Sequence, residues 1–204
     1  EASSLSGDML FLKNTPIDQI VSMNEMIVTI EDALKEMALG RGFDLPRQRI
    51  HHPNRMIFGL LPGSVHGVMG AYLQTDLDRR LHRETVIIYS VESGEPLALF
   101  QDCAINELRT GAAGGIGAKY LACKEASRVA IFGSKVHAEA QLKALATVRT
   151  LTQTKVFSPT EAHRRTFAEK MSRELAIDVT AASSPEEAIA DADIVIASDE
   201  SLFG

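Results

Sequence analysis

The stretch Arg128–Gln141, RVAIFGSKVHAEAQ, holds the residues whose order most directly suggests chemistry. Val129–Phe132 is a short apolar run that stops at Gly133, and a helix-forming segment begins within a few residues. A buried strand that ends on glycine and turns at once into a helix opens a dinucleotide-binding βαβ unit. Glycine allows the tight turn, and the helix start offers unpaired N–H groups and a positive dipole end to a pyrophosphate. Of the pattern G-x-G-x-x-G/A, the run Gly133-Ser134-Lys135-Val136-His137-Ala138 supplies the first glycine and the closing alanine. Lys135 stands where the middle glycine belongs, the point of closest backbone approach to phosphate. The expectation is weakened or altered phosphate binding, because the side chain obstructs that approach or its ammonium holds the phosphate in another pose.

Other residues invite a weaker reading. Arg109 lies just ahead of Gly111, Gly114, Gly115 and Gly117, in a segment whose pattern is helical over Ala104–Leu121. Each glycine in a helix interior costs about 0.5–1 kcal/mol against alanine, so four need a reason: close packing of another backbone, or of a ligand. Arg47 and Arg49 sit in a basic extended segment, Pro46–His51, that is either a ligand site or a solvated edge. His82 reads as a surface histidine at a strand end. Ser158 and Thr160 read as caps for the following helix. The acids at 186, 187, 191 and 193 form a solvated helix end with no pairing suited to general acid–base work. The six histidines and two cysteines have no metal-ligand spacing, so no metal is expected.

The totals narrow the partners. The 204 residues are 45% hydrophobic and 24% charged, with a formal net charge of −6, which argues against nucleic acid or an anionic membrane as partner. No apolar run approaches the roughly 20 residues that span a bilayer, and no signal peptide is read at the amino end. Cys103 and Cys123 are expected to be reduced thiols in a cytoplasmic protein. Residues 1–8 read as a flexible tail.

The elements that would position these groups fall into two regimes. Met9–Leu12 is a strand candidate. Ser22-Met23-Asn24-Glu25 has capping-box spacing ahead of an amphipathic helix through Ala38, closed by Gly40 and Gly42 and expected to cover a sheet. Strands follow at Met56–Leu61 (stopped by Pro62-Gly63), Gly67–Leu73, Thr85–Val91 and Leu97–Phe100, the last two joined as a hairpin through Gly94. From Arg128 strands and helices alternate: Val129–Phe132, helix 138–149, Lys155–Phe157, helix 161–175, Ile177–Thr180, a helix opened by Ser184-Pro185, and Ile194–Ala197. The fold class is therefore α/β: an α+β substrate and dimerisation domain over 9–122, then a partial Rossmann-like, doubly wound parallel sheet over 123–204.

Taken in order, several stretches resemble the ornithine cyclodeaminase/mu-crystallin family: Met9–Leu12, Pro46–Arg49, His82–Val86 to Gly94, Glu95–Leu99, Leu108–Ala113, Lys119–Ala122, and Ile131–Gly133 to Gln141. The resemblance runs from about residue 9 to 200, and by that resemblance the family's C-terminal third is lacking. It implies NAD or NADP as cofactor and a small amino acid or cyclic imino acid as substrate, handled by cyclodeamination, amino-acid dehydrogenation or imine reduction. It also implies that Arg47 and Arg109 grip the substrate carboxylate, and that His82 and Thr110 lie near the nicotinamide. Gly133, Ser134, Lys135, Val136, His137 and Ala138 would line the pyrophosphate, with Ser158 and Thr160 at the adenosine ribose. The family's lysine in the Gly67-Val68 segment corresponds here to Met69, its ribose-reading acid or arginine to Pro159, and its catalytic aspartate lies past the last residue of this chain.

Two expectations follow. One is an NAD(P)-dependent enzyme of this type; the other is a catalytically degenerate small-ligand or cofactor-binding protein on the same scaffold. The unpaired edge of a truncated parallel sheet predicts a homodimer or larger homo-oligomer.

Overall fold

The chain is described by a computed structural model over residues 9–77 and 81–198; the tail expected at 1–8 lies outside them. The described residues divide into two compact units, one from 9–20 with 32–105, the other from 21–31 with 106–198.

The first unit is built on a seven-stranded sheet: β1 (Leu10–Lys13), β2 (Phe43–Asp44), β3 (Gln48–His51), β4 (Met56–Val65), β5 (Val68–Leu77), β6 (Leu81–Ser90) and β7 (Pro96–Gln101). The order is β1-β7-β6-β5-β4-β2, with β3 also paired to β4; β1 and β7 run parallel and the other pairs antiparallel. Pro62-Gly63 does not stop β4, which stays in register with β5 out to Val65. The reason lies on β4's other edge. There β3 pairs as far as Leu60 and β2 pairs from Gly63, so the missing N–H of Pro62 falls between two partners and no ladder bond is lost.

Helix α1 (Met23–Ala38) opens on the predicted capping box. Ser22 Oγ accepts from Glu25 N–H at 3.2 Å, and the Glu25 carboxylate accepts from Ser22 N–H at 2.8 Å. Its first turns do not cover a sheet as expected. They bury Ile27 among Ala112, Ile116 and Ala144, which lie on two helices of the second unit.

Those helices are α2 (Ile105–Leu121) and α3 (Val136–Val148). The rest of the second unit is β8 (Arg128–Phe132), β9 (Gln153–Phe157), α4 (Glu161–Leu175), β10 (Val179–Ala181), α5 (Pro185–Ile189) and β11 (Ile194–Ala197). All four strands are parallel, in the order β10-β9-β8-β11. Both faces of β8 are buried, which is why it reads as an unbroken apolar run. Val129 and Ile131 pack with Leu142, Leu145 and Met171 of α3 and α4. Ala130 and Phe132 pack on the other side with Ala182 and Ala188. Asp193 ties the foot of β11 to β8: its carboxylate binds the Arg128 guanidinium and accepts from Arg128 N–H and Ser127 N–H, both at 3.0 Å. These bonds hold the Asp193 carboxyl well below the usual carboxylate range.

The glycines of α2 find their reason in α3. A Cβ on Gly111 would stand 2.5 Å from the Ala140 carbonyl oxygen, and one on Gly115 would stand 3.0 Å from Ala144 Cβ. Gly114 faces the side chain of Gln141, whose amide donates to the Thr110 carbonyl at 3.3 Å, whereas Gly117 meets nothing within 4 Å. Packing against α3 accounts for three of the four: a backbone carbonyl at Gly111, Ala144 at Gly115 and the Gln141 side chain at Gly114. The expected outcome is asymmetric. Gly111→Ala should lower unfolding stability by about 1–3 kcal/mol through overpacking, and Gly117→Ala should raise it by about 0.5–1 kcal/mol. Equal urea midpoints for the two variants would contradict this account of the helix crossing.

Candidate functional site

At the carboxyl end of β8 the chain makes the turn that the sequence predicts. Gly133 is buried at φ +107°, a conformation that L side chains resist, and its N–H donates to the Phe157 carbonyl at 2.9 Å. That bond joins the ends of β8 and β9. The hydroxyl of Ser134 donates to Ser158 Oγ at 3.0 Å, and Ser158 is only 6% exposed. The loops after the first and second strands are thereby linked side chain to side chain. Ser158 is not a helix cap, and Thr160, which holds the N-cap position of α4, makes no side-chain capping bond.

Lys135 is the N-cap residue of α3 at φ −108° and ψ −175°, an ordinary extended conformation that asks nothing of glycine. The residue is exposed, and its side chain does not cap the helix. Val136 and His137 follow in the first turn, and Ala138 is fully buried. His137 Nδ1 is buried and has no hydrogen-bond partner among the described residues. A buried ring nitrogen without a partner is costly, and in the first turn of an uncapped helix it marks a place where a ligand atom would be favoured.

The α2–α3 crossing brings a second predicted group to the same end of this unit. Residue pairs advance together along the two helices, 111 with 140 and 115 with 144, so α2 and α3 run parallel and begin side by side. Arg109 and Thr110 thus lie in the opening turns of α2 beside the opening of α3. Arg109 is part-buried and donates through Nη2 to Asn106 Oδ1. Glu107, in the first turn of α2, has Oε2 buried with no partner among the described residues. An unpartnered carboxylate oxygen and an unpartnered imidazole nitrogen therefore occur in the opening turns of two adjacent helices.

In the first unit, the register sorts the predicted residues by sheet face. His82 stands opposite Asp76, with Nδ1 3.7 Å from Oδ2, and shares its face with Gln74, Glu84 and Tyr72. Met69 lies an odd number of residues from these β5 positions and points to the other face, where it lines an apolar groove of about 420 Å³ with Phe43, Leu45, Pro62 and Ile87. Arg47 is exposed in the segment leading into β3.

The polar face holds a pair that the sequence reading missed. Tyr72 Oη donates to Glu84 Oε2 at 3.0 Å, and Glu84 is 7% exposed. The Glu84 backbone is pinned on both sides by Asp102, whose Oδ1 accepts from Glu84 N–H at 3.0 Å and whose N–H donates to the Glu84 carbonyl at 2.9 Å. The available signal was polar side chains at every second position through Tyr72, Gln74 and Asp76, marking a strand face that is not simply core. Among the described residues no cluster of His, Cys, Asp and Glu could hold a metal, and no helix is long and apolar enough to cross a membrane.

A parallel 3-2-1-4 sheet with a buried glycine turn feeding an uncapped helix defines a Rossmann-like dinucleotide-binding class. The sequence profile of the Ornithine cyclodeaminase/mu-crystallin family matches residues 8–201, and the chain belongs to that family. It is 27% identical over 197 residues to a Delta(1)-pyrroline-2-carboxylate reductase of Bacillus cereus, covering 92% of this chain and 61% of that protein. It is 29% identical over 166 residues to an alanine dehydrogenase of Archaeoglobus fulgidus, covering 78% of this chain and 51% of that one. Among solved structures, Thermococcus litoralis Delta(1)-pyrroline-2-carboxylate reductase in complex with NADH and L-proline superposes with a TM-score of 0.85 at 28% identity, over 93% of this chain and 61% of that one. An archaeal alanine dehydrogenase dimer with bound NAD also gives a TM-score of 0.85 at 28% identity, over 93% and 60%. The match therefore spans about half to three-fifths of the length of these relatives.

The Tyr72–Glu84 pair makes a direct prediction. Tyr72→Phe deletes a donor to a buried carboxylate and should cost about 1–3 kcal/mol of unfolding free energy. A cost below a few tenths of a kcal/mol by urea titration would mean that the bond does not hold this face together.

Proposed function

We propose that this chain is the substrate- and cofactor-binding part of an NAD(P)-dependent enzyme acting on a small amino acid or cyclic imino acid. The reaction is amino-acid dehydrogenation, imine reduction or cyclodeamination. The observation that carries this reading is the mouth at Gly133: a parallel sheet, a turn only glycine makes easily, and α3 opening without a side-chain cap beside the unpartnered His137 Nδ1. These features suit a dinucleotide, because helix-end N–H groups and a buried unpaired nitrogen are polar groups seeking acceptors or donors. The named ligands of the two solved relatives, NADH with L-proline and NAD, point the same way.

In this reading Gly133 to Ala138 hold the pyrophosphate, and Lys135, extended and exposed, adds a positive charge at the rim. Bound nicotinamide would supply the hydride acceptor or donor. Arg109 is assigned to a substrate carboxylate: its guanidinium is fixed by Asn106 in the opening of α2, so the bidentate grip is prepared before the ligand arrives. Thr110 adjoins it in the same turn. Arg47 and His82 belong to the first unit and are assigned to substrate and nicotinamide, respectively. Ser158 and Thr160 are assigned to the adenosine ribose. Two unbridged cysteines support a cytoplasmic setting.

The second reading, a carrier without catalysis, draws on Met69, which cannot donate a proton. Met69 lies on the apolar face, away from Tyr72, Glu84 and His82, so its chemistry does not bear on theirs. Titrating the chain into NADH or NADPH while following nicotinamide fluorescence tests the cofactor assignment. Saturable binding below millimolar is expected, and Arg109→Ala should leave it intact while weakening added L-proline or L-alanine about tenfold or more. Absence of nicotinamide binding at millimolar concentration would remove the enzyme reading.

A homodimer is part of the same proposal. The first unit exposes Phe11, Phe43, Ile50 and Met69 at 53%, 68%, 66% and 40% on one face of its sheet, apolar side chains that a second copy would cover. The alanine dehydrogenase relative is a dimer. Light scattering should give twice the chain mass, and a clean monomer across a wide concentration range would refute the assembly.

A further inference from the structure

The loop after β9 carries an arginine whose place is set by contacts at the strand end itself. Arg164, in the first turn of α4, reaches back so that Nη1 donates to the Ser158 carbonyl at 2.9 Å. Its guanidinium carbon lies 5.3 Å from the centroid of the Phe157 ring, within cation–π range of the last residue of β9. These contacts use one N–H group and one face of the guanidinium. Its remaining N–H groups make no bond among the described residues, so a planar fork with unused donors is held at the carboxyl end of the second strand.

That strand end decides which nicotinamide a Rossmann-like sheet accepts. An acid there bonds the ribose hydroxyls of NAD(H), whereas an arginine nearby accommodates the 2′-phosphate of NADP(H). No acid occupies Ser158, Pro159 or Thr160. The next residue, Glu161, is 60% exposed at its side chain and is paired with Arg165 at 2.7 Å. The other nearby carboxylate, Glu187, feels the charge of Arg164 but is held by Ser183, whose N–H it accepts at 2.7 Å. The strand end thus offers an anchored cation and no uncommitted carboxylate to bond a ribose diol.

Building on the cofactor reading above, we infer that Arg164 is a specificity-determining residue that reads the 2′-phosphate, and that the chain binds NADP(H) in preference to NAD(H). Fork geometry suits a phosphate dianion, which takes two parallel N–H···O bonds from one guanidinium. Ser134 and Ser158, bonded to each other, fix the loop from which Arg164 is hung. The solved relatives named above hold NADH and NAD, so the inferred preference separates this chain from them.

The test uses the full chain and equilibrium binding, with no substrate turnover. NADPH and NADH are titrated by nicotinamide fluorescence, and adenosine 2′,5′-bisphosphate is compared with 5′-AMP as a competitor lacking nicotinamide. The wild type should bind NADPH at least tenfold more tightly than NADH, and the bisphosphate should compete better than 5′-AMP by a similar factor. Arg164→Gln should abolish both preferences, with NADH affinity within about twofold. Arg164→Lys should retain part of the preference. Equal affinities in the wild type, or tighter NADH, would overturn the inference while leaving the cofactor reading intact. An Arg164→Gln variant that loses NADH and NADPH alike would show a loop staple instead of a phosphate reader. Binding of neither nicotinamide would overturn both proposals.

Discussion

The second unit depends on how closely α2 approaches α3. A Cβ on Gly111 would stand only 2.5 Å from the Ala140 carbonyl oxygen, so the two helices touch backbone to backbone there. Their separation and direction leave little freedom. The consequence reaches the candidate site: parallel helices in contact must begin at the same end, so Arg109 and Thr110 arrive beside the start of α3, where the Thr110 carbonyl accepts from the Gln141 side chain. Ile27 of α1 then seals the outer side of this helix pair among Ala112, Ile116 and Ala144. At Gly111 the helical cost of glycine is offset by a backbone contact that no larger residue allows.

The sheet of the first unit works by a different logic. Its period-2 alternation gives two faces with separate characters, one carrying Tyr72, Gln74, Asp76, His82 and Glu84, the other Phe43, Met69, Ala71 and Ile87. Because register alone assigns a residue to a face, a slip of one position would exchange these sets. The Asp102 clamp on the Glu84 backbone opposes such a slip at the place where it would do most harm.

Much of the second unit was legible in the chain. The doubly buried strand β8 leaves an apolar run, and the Ser184-Pro185 start and the bounds of α4 and β11 follow from capping chemistry and composition. The turn at Gly133 was readable because a positive φ is a demand that few residues meet. The first unit was less so. Its strands run past their apolar segments into Ser64, Gln74 and Asp76, since ladder bonds hold strand ends whatever the side chain. Tyr72 and Glu84, twelve residues apart, become a pair only once β5 and β6 are aligned. The caps read at Ser158 and Thr160 failed for a related reason: the Ser158 hydroxyl is claimed by Ser134, a partner 24 residues away.

That hydroxyl pair reaches beyond the packing of two serines. Together with the Gly133 to Phe157 bond, it makes the first and second crossover loops a single rim. A ligand bridging the two loops would find them already ordered against each other, so less of the entropy cost of binding would fall on the protein.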